Sequence, residues 1–216
     1  DNSLSRLHLI KKLIVGGGSV STNLKNLVQG IGTEVYETYG MTETVSHIAA
    51  RPLNSKKKGQ HEPLPFTVLP NVNISTDDRS CLVIEAPQLT EETLITNDVV
   101  ELLSEKTFLL KGRIDNVINS GGVKLHPEEI EAKLAPIIAH RFFVTSLPDP
   151  ALGEKLVLMV ESDFSESALD SLEREIKSCH KLGKYEVPKK IDFVEKFEET
   201  PNSKIHRVNT LKSRMT

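Results

Sequence analysis

A strand–turn–helix–strand pattern near the start of the chain constrains the fold most. The apolar run at residues 13–15 ends in a glycine turn, and residues 34–39 form the next strand-like run. Between them, four apolar residues follow the spacing of one helix face: Leu24, Leu27, Val28 and Ile31. Two strands joined by a helix are expected to be parallel neighbours. Residues 9–40 therefore predict a βαβ unit, which makes this part of the chain α/β.

The following region has a different sequence pattern, in which Pro and polar turns separate short β-prone runs and no long helical pattern occurs. The runs lie at residues 72–75, 81–85, 99–103 and 107–110. Such a region is typical of a small antiparallel sheet or an open barrel. We therefore expect the βαβ unit to extend to about residue 48 and a small β-barrel region to occupy residues 49–112.

Beyond residue 115 the pattern becomes α+β. Pro127 begins a helix with Glu128 and Glu129 in its first turn, where acidic side chains are favoured. A longer amphipathic helix is expected to stop at Gly183, and its apolar positions are Leu169, Leu172, Ile176, Cys179 and Leu182. Three further runs are expected strands: 142–147, 155–161 and 190–194. A boundary near residues 112–116 divides the chain into two domains, 1–114 and 115–216.

Composition excludes several classes of protein. The chain has 216 residues, with 27 Lys and Arg against 30 Asp and Glu, and this near-balance argues against a nucleic-acid-binding protein. No apolar run approaches the roughly 18 residues that a membrane-spanning helix needs. Cys81 and Cys179 form no CxxC pair, which argues against a disulfide scaffold or a cysteine zinc site. Sparse cysteines fit a reducing cytoplasm, where we expect the protein to work.

Two polar segments follow predicted strands and suggest ligand chemistry. The turn Gly16-Gly17-Gly18-Ser19 would let a ligand approach the backbone, although by itself it is more simply a tight turn. In Tyr39-Gly40-Met41-Thr42-Glu43-Thr44, a hydroxyl lies beside a carboxylate at a strand end, where open α/β sheets bind ligands. These oxygens suit a phosphate group and Mg²⁺.

Three further segments complete the candidates. Asp98 is a lone acid after an apolar strand, in Thr96-Asn97-Asp98. Residues 112–124 read GRIDNVINSGGVK, and PEEIE follows at residues 127–131. Residues 200–207 read TPNSKIHR, a polar loop with Lys204 at its centre. Each segment alone can be explained as structure.

Together and in this order, these segments resemble the adenylate-forming superfamily, which includes acyl-CoA synthetases, luciferases and peptide-synthetase adenylation domains. The resemblance covers essentially the whole chain, and YGMTET and GRIDNVINSGG-K---PEEIE carry it most specifically. The Ser/Thr/Gly-rich phosphate loop that precedes these motifs in the superfamily is not in this sequence. We therefore expect the chain to be the end of the large AMP-binding domain followed by the complete small, mobile C-terminal domain.

The resemblance implies roles for the nucleotide-binding residues. The glycine turn, Gly16, Gly17 and Gly18, would lie against the adenine and the acyl group. Tyr39 would stack on adenine beside Gly40, Thr42 would contact the α-phosphate, and Glu43 would help to hold Mg²⁺. Asp98 and Arg113 would bind the ribose hydroxyls.

It implies roles for the second domain as well. Asp115 matches the hinge residue, and Lys204 matches the lysine that enters the site for adenylation only. The loop containing Ser120, Gly121, Gly122 and Lys124 would serve the CoA side. Two residues depart from the pattern, because Asn97 and Ser203 replace glycines that are usual in the superfamily.

The implied activity is an ATP-dependent acid–CoA ligase that uses ATP, Mg²⁺ and coenzyme A and passes through an acyl-AMP. Within the superfamily, the motif regions are most similar to the o-succinylbenzoate–CoA ligases of menaquinone synthesis. Ser19 and His47 are candidate contacts to the acid, since an imidazole can bond one carboxylate of a diacid. The alternatives are another aryl- or acyl-CoA ligase, a peptide-synthetase module, or a non-catalytic nucleotide-binding piece. We expect an aromatic or aliphatic acid as substrate, leave a homodimer open, and expect the chain alone to be inactive.

Overall fold

A computed structural model of the protein describes residues 4–18, 20, 22–54, 64–163, 165–200 and 204–215. The chain divides into two compact units, Asp1–Ile114 and Asp115–Thr216, which we call the N-terminal and C-terminal units. That each folds independently, as a domain, stays a prediction. Of the helices within the described ranges, none has the length and apolar character that crossing a membrane requires.

The N-terminal unit is built on one mixed sheet. Its strands are β1 (Lys12–Val15), β2 (Glu34–Gly40), β3 (His47–Pro52), β4 (Phe66–Val68), β5 (Asn73–Thr76), β6 (Cys81–Glu85), β7 (Leu94–Ser104) and β8 (Thr107–Arg113). They are hydrogen-bonded in the order β1-β2-β3-β4-β8-β7-β6-β5. Helix α1 (Thr22–Val28) connects β1 to β2, and short 3₁₀ helices lie at Leu4–Leu9 and Thr42–Thr44.

The predicted βαβ unit is confirmed, because β1 and β2 pair in parallel with Lys12 opposite Glu34. Helix α1 is shorter than the apolar spacing suggested. It ends at Val28, and Gln29 and Gly30 form a turn, so Ile31 lies beyond the helix.

The four β-prone runs of residues 72–110 are strands, but they form no closed barrel. Strand β4 pairs with β3 on one side and β8 on the other, so these strands continue the sheet that begins with the βαβ unit. Within the described residues, the outer strands β1 and β5 do not pair with each other. The antiparallel-sheet alternative therefore holds, and the barrel expectation is corrected. The core on this sheet includes Tyr39, Ile48, Phe66, Leu82, Ile84 and Phe108.

The C-terminal unit is α+β. Its strands are β9 (Ile118–Ser120), β10 (Val123–Leu125), β11 (Phe142–Asp149), β12 (Gly153–Glu161) and β13 (Lys190–Val194). Its helices are α2 (Pro127–Leu134), α3 (Glu166–Lys177) and α4 (Arg207–Met215), with a 3₁₀ helix at Ile114–Asn116. Strand β12 is central, pairing antiparallel with β11 and β9 and parallel with β13. It therefore supplies a continuous buried run from Leu156 to Val160.

Helix α2 begins at Pro127 as predicted. Helix α3 begins after Ser165, whose hydroxyl accepts a hydrogen bond from the Ala168 amide at 3.2 Å, a normal N-cap contact. It ends at Lys177, six positions before Gly183, so Cys179 and Leu182 lie in the following turns. The helix nevertheless buries Ile176 in the core, together with Ile118, Ile130, Leu134, Val144, Leu156 and Leu158.

Candidate nucleotide site and lysine loop

Three predicted nucleotide-binding residues come together in the N-terminal unit. Strands β7 and β8 pair with Asp98 directly opposite Arg113. The Tyr39 hydroxyl, from β2, donates a hydrogen bond to Asp98 Oδ2 at 2.6 Å. Arg113 Nη1 donates to Asp98 Oδ1 at 3.3 Å. The sheet therefore brings a phenol, a carboxylate and a guanidinium to one point, although Tyr39 and Asp98 are far apart in sequence.

The electrostatics of this cluster leave Asp98 as an acceptor. Burial, reinforced by the Asp98 charge, raises the pKa of Tyr39 far above its usual value, so the phenol stays protonated and donates. The Arg113 side chain is 52% exposed, and that of Asp98 keeps 15% of its surface exposed, so a ligand can reach Arg113 fully and Asp98 from one side. A carboxylate has about four acceptor positions, and among the described residues the side chains of Tyr39 and Arg113 occupy two of those on Asp98. The others can accept hydrogen bonds from a pair of vicinal hydroxyls.

The ring of Tyr39 is mainly a core residue. It is 8% exposed, and its centroid lies 5.4 Å from that of Phe108 and 5.8 Å from that of Phe66. Only a small part of the ring is therefore open to an adenine. The stacking role expected from the resemblance stays a prediction, and the contact that the structure gives is the hydrogen bond to Asp98.

Two residues of the glycine turn, Gly16 and Gly17, are glycine for structural reasons. A Cβ at Gly16 would overlap the Thr38 hydroxyl, and Gly17 has a φ of +88°, in the left-handed region that favours glycine. Gly16, Gly17 and Gly18 are all exposed, so their backbone is accessible. Ser19 lies outside the described residues. The turn thus meets the steric condition for a ligand to approach it, and its contact with the nucleotide stays a prediction.

A buried ion pair beside this turn was not predicted. The Arg51 guanidinium lies 2.7 Å from Glu37 Oε2 through both Nε and Nη2, and it stacks 4.3 Å from the Phe66 ring centroid. Glu37 Oε1 also accepts the Val20 amide, just after the glycine turn, at 3.4 Å. The signal was present in the sequence, since Glu37 occupies the inward-facing position between Val35 and Tyr39 of β2. A carboxylate at such a position indicates a buried cationic partner.

The YGMTET segment turns sharply after β2. A Cβ at Gly40 would lie 2.5 Å from the Ser46 carbonyl oxygen, so the reversal requires glycine. The buried Thr44 hydroxyl accepts from the Met41 amide at 3.1 Å and lies 2.7 Å from the Ser46 carbonyl oxygen, to which it donates. Thr42 and Glu43 are left exposed on this fixed turn. Both are therefore available to a ligand, as the resemblance implies.

The residues present suit Mg²⁺ that arrives with a phosphate ligand. Glu43 offers one exposed carboxylate, and no group of three or more His, Cys, Asp or Glu among the described residues could hold a metal by itself. Mg²⁺ usually keeps several waters and binds one or two carboxylates plus substrate phosphates. Glu43 fits that arrangement and does not fit a cage built of protein alone.

His47, a candidate contact to the acid, is half-buried at the start of β3. Its Nδ1 lies 3.2 Å from the Ser46 hydroxyl. It lines a shallow surface cavity of about 250 Å³ together with Leu69, Asn71, Ala86, Gln88 and Leu89. Its contact with the acid stays a prediction.

Asn97, which departs from the superfamily pattern, causes no backbone strain. It lies within β7, and its side-chain oxygen accepts from Arg79 Nη1 at 3.3 Å. Its φ is not positive. A glycine is therefore not needed at this position to place Asp98.

In the C-terminal unit, the predicted CoA-side loop is a tight hairpin. Ser120 pairs with Val123, and the two residues between them, Gly121 and Gly122, have φ values of +59° and +81°. Positive φ at both central residues is the geometry of a type I′ turn. Lys124 is exposed on β10. Two glycines between short β-prone runs are a hairpin signal that the sequence contained.

The predicted hinge and lysine also lie in this unit. Asp115 is exposed within the 3₁₀ helix Ile114–Asn116. Lys204 is exposed; its amide donates to Thr200 Oγ1 at 3.2 Å, and its carbonyl accepts the Thr200 amide at 2.8 Å. No residue in the described ranges pairs with its ammonium group. Ser203 lies outside those ranges. Of the predicted loop at residues 200–207, which we call the Lys204 loop, the structure describes Thr200 and residues 204–207.

Comparison with known proteins decides the relationship. No family model matches the chain. A 2-succinylbenzoate–CoA ligase from Listeria monocytogenes is 26% identical over 223 residues, covering 95% of this chain and 46% of that protein. A mitochondrial acyl-coenzyme A synthetase from Homo sapiens, ACSM5, is 28% identical over 233 residues, covering 92% of this chain and 40% of that protein.

The chain is similar in sequence to acyl-CoA synthetases. The fold agrees with this relationship. A solved o-succinylbenzoate coenzyme A synthetase from Bacillus subtilis, in complex with ATP and a magnesium ion, matches with a TM-score of 0.72 at 20% identity, over 98% of this chain and 50% of that one. The similarity in sequence to these ligases and synthetases confirms the predicted resemblance to the adenylate-forming superfamily, and the solved structure shows an agreement in fold. The chain spans less than half the length of the curated relatives it matches.

Proposed function

We propose that the protein containing this chain is an ATP-dependent acid–CoA ligase. The observation that supports this most is the cluster of Tyr39, Asp98 and Arg113, which offers a nucleoside a carboxylate with free acceptor positions beside an exposed guanidinium. The relationship to CoA ligases supplies the reaction. A carboxylate is a poor acyl donor, so it first attacks the α-phosphorus of ATP and forms an acyl-AMP with loss of pyrophosphate. The acyl group is then transferred to a thiol with release of AMP.

The first half-reaction assigns roles to both units. Asp98 accepts hydrogen bonds from the ribose hydroxyls, and Arg113 holds Asp98 and contacts the same sugar. Thr42 donates to the α-phosphate as the acid carboxylate attacks its phosphorus. Lys204 stabilises the negative charge that grows on the phosphate oxygens, which is the largest kind of term in such catalysis. Mg²⁺ on Glu43 and the phosphates would offset further charge.

The second half-reaction requires the thiol of CoA to reach the acyl-AMP. We propose that rotation about Asp115 removes Lys204 and brings the hairpin of Ser120, Gly121, Gly122 and Lys124 to the thioester side. Rigid-body motion about a few residues is a common way to let one enzyme serve two steps. The type I′ geometry of that hairpin supports its use as a rigid element, and the exposed Lys124 suits a phosphate of CoA.

For the acid, we propose o-succinylbenzoate, which places the enzyme in menaquinone synthesis. The relatives named as 2-succinylbenzoate–CoA ligases support this at 26% identity. His47 would hydrogen-bond one carboxylate of this diacid. Relatives named as acyl-coenzyme A synthetases support the alternative, another aryl- or acyl-CoA ligase.

The test uses the full-length protein with ATP, Mg²⁺ and CoA across aromatic and aliphatic acids, o-succinylbenzoate included. We expect ATP–pyrophosphate exchange that depends on the acid, and thioester formation fastest with o-succinylbenzoate. A faster reaction with another acid replaces the proposed substrate and keeps the reaction class. If no acid supports pyrophosphate exchange, the protein is a non-catalytic nucleotide binder and the proposal is wrong. His47→Ala should raise the KM for o-succinylbenzoate, and an unchanged KM removes His47 from the acid site.

A further inference from the structure

The base of the Lys204 loop is held by a partly buried ionic network. Arg207, the first residue of α4, lies three positions after Lys204, and its guanidinium faces Glu131 of α2. Nη1 lies 2.8 Å from Oε1, and Nη2 donates to Oε2 at 3.0 Å. A two-pronged contact between arginine and a carboxylate fixes the direction of the guanidinium as well as its position.

The same two side chains hydrogen-bond to the backbone of one residue of β11, Val144. Arg207 Nη1 donates to the Val144 carbonyl at 2.8 Å, and Glu131 Oε1 accepts the Val144 amide at 2.7 Å. The guanidinium also lies 5.7 Å from the ring centroid of Phe143. The start of α4 is therefore fixed at once against α2 and β11, and the end of the Lys204 loop is fixed with it.

The network also extends to the segment beside the proposed hinge. Glu128, one helical turn before Glu131, accepts a hydrogen bond from the side-chain amide of Asn116, which follows Asp115 directly. Glu128 Oε1 lies 3.7 Å from Arg207 Nη2. A continuous set of polar contacts thus runs from the residue after Asp115 to the residue that ends the Lys204 loop.

We propose that Glu131 and Arg207 are positioning residues for Lys204, which set the orientation of the Lys204 loop in the adenylating state through an ionic contact. The inference rests on the proposed role of Lys204. Positioning errors of about 1 Å can cost up to about a hundredfold in rate, so a fixed loop base has a clear catalytic value. The simpler alternative is that the network only stabilises the C-terminal unit.

The charge state of Glu131 separates these two roles. Burial raises the pKa of Glu131 to about 7, and the positive charge of Arg207 opposes that rise. Among the described residues, the charged groups that act on it are Arg207 of α4 and Glu128 of α2, while β11 contributes the Val144 amide. Its folded pKa lies above its ordinary value of 4.5, so ionisation of Glu131 lowers stability as pH rises towards 7. The same ionisation strengthens the contact with Arg207, so stability and loop positioning change in opposite directions.

The test compares Glu131→Gln with the wild type in the full-length protein. We expect adenylation about tenfold slower at about pH 8, where Glu131 is ionised, with the two proteins converging near pH 6. Thioester formation from supplied acyl-AMP should stay within about twofold, because Lys204 is then away from the site. The melting temperature at about pH 8 should not fall by more than about 3 °C, since glutamine avoids a buried charge.

The chain offers a closely matched control in Glu186→Gln. Like Glu131, Glu186 accepts a hydrogen bond from a backbone amide, that of Gly183 at 2.7 Å. It also pairs with a cation, Lys133 of α2, at 2.6 Å. Within the described residues, no hydrogen bond or ion pair joins Glu186 to α4. We expect this variant to adenylate at the wild-type rate at every pH.

Amide hydrogen exchange of residues 204–206 gives a readout that does not need catalysis. Exchange should be faster in Glu131→Gln and unchanged in Glu186→Gln. If Glu131→Gln slows adenylation and thioester formation equally, or if both variants exchange alike, the inference is overturned. If exchange responds as expected but Lys204→Ala adenylates normally, the anchoring of the loop stands and the proposed role of Lys204 is wrong.

Discussion

The two units present their candidate functional groups in different ways. In the N-terminal unit, Tyr39, Asp98 and Arg113 belong to strands of one sheet, and their contacts with one another are already made. In the C-terminal unit, Lys124 and Lys204 are exposed on a hairpin and a loop. The first arrangement suits a pre-formed binding site, and the second suits groups that act in one step and withdraw in another. We infer that nucleotide binding depends on the N-terminal unit, whereas the choice of half-reaction depends on the C-terminal unit.

The units also differ in how fully they bury their own apolar surface. The C-terminal unit surrounds β12 and buries a contiguous core. The N-terminal unit exposes apolar side chains around its edge strand β1, with Ile14 59% exposed, Leu9 77% and Leu27 49%. An exposed edge strand with apolar side chains favours association. The N-terminal unit therefore needs a covering partner more than the C-terminal unit does.

The largest expected effect follows from that contrast. Expressed separately, residues 115–216 should be monomeric and unfold cooperatively, whereas residues 1–114 should aggregate. Size-exclusion chromatography and thermal melts followed by circular dichroism measure both outcomes. A monomeric, folded 1–114 with an aggregated 115–216 would reverse the comparison.

The next largest effect concerns Lys204. In the full-length protein, Lys204→Ala should slow acyl-AMP formation by about two to three orders of magnitude, because a charge on the transition state loses its partner. Thioester formation from synthetic acyl-AMP and CoA should change by less than about threefold. Rapid-quench measurement of each half-reaction checks this. Equal damage to both steps would show that Lys204 is a general structural or binding residue.

A complementary loss is expected at the hinge. Asp115→Pro restricts φ at the proposed pivot, so thioester formation should slow by about tenfold or more while adenylation changes less. The same two half-reaction assays apply. If adenylation suffers more than thioester formation, Asp115 does not act as the pivot.

A smaller effect is expected at Asp98. Charge-assisted hydrogen bonds are worth roughly 1.5–3 kcal/mol each, so Asp98→Ala should raise the KM for ATP about tenfold or more. The KM for the acid should change less. Steady-state kinetics with each substrate varied in turn would measure both KM values. An unchanged KM for ATP would show that Asp98 does not contribute to nucleotide binding.

The smallest effect is expected for Tyr39→Phe. This change removes one donor to Asp98 and keeps the ring packed against Phe108, so the KM for ATP should rise about two- to fivefold. Tyr36→Phe is the matched control, since Tyr36 donates to the exposed Glu34 on the same strand at 3.1 Å. A larger effect from Tyr36→Phe would contradict a specific role for the Tyr39 hydroxyl.

Sequence reasoning succeeded where a pattern was long or was marked by a strong local signal. The spacing at residues 13–39 predicted a parallel pair, and Pro127 marked the start of α2. It failed for α4, which has few apolar positions, and for the three-residue strands β9 and β10. Helix ends were also missed, because apolar residues such as Leu182 can pack against the core from a turn as readily as from a helix.

The side-chain contacts within the candidate site could not be predicted from the sequence. Asp98 meets Tyr39 only because β4 joins two parts of the sheet, and Asp98 meets Arg113 because the β7–β8 ladder, whose two register shifts cancel, places them opposite each other. The network of Glu131 and Arg207 depends in the same way on how α2, β11 and α4 pack. Residue types suggested which groups were candidates, and tertiary packing determined their partners.

Direct measurement of ATP binding tests most simply whether the N-terminal unit binds the nucleotide while the C-terminal unit selects the half-reaction. The dissociation constant for ATP should be measured by calorimetry, without acid or CoA, for the full-length wild type and for Lys204→Ala and Asp98→Ala. We expect Asp98→Ala to bind ATP about tenfold more weakly, and Lys204→Ala to stay within about twofold of the wild type. If Lys204→Ala weakens ATP binding as much as Asp98→Ala does, nucleotide binding is not a property of the N-terminal unit alone, and the proposed division between the two units is wrong.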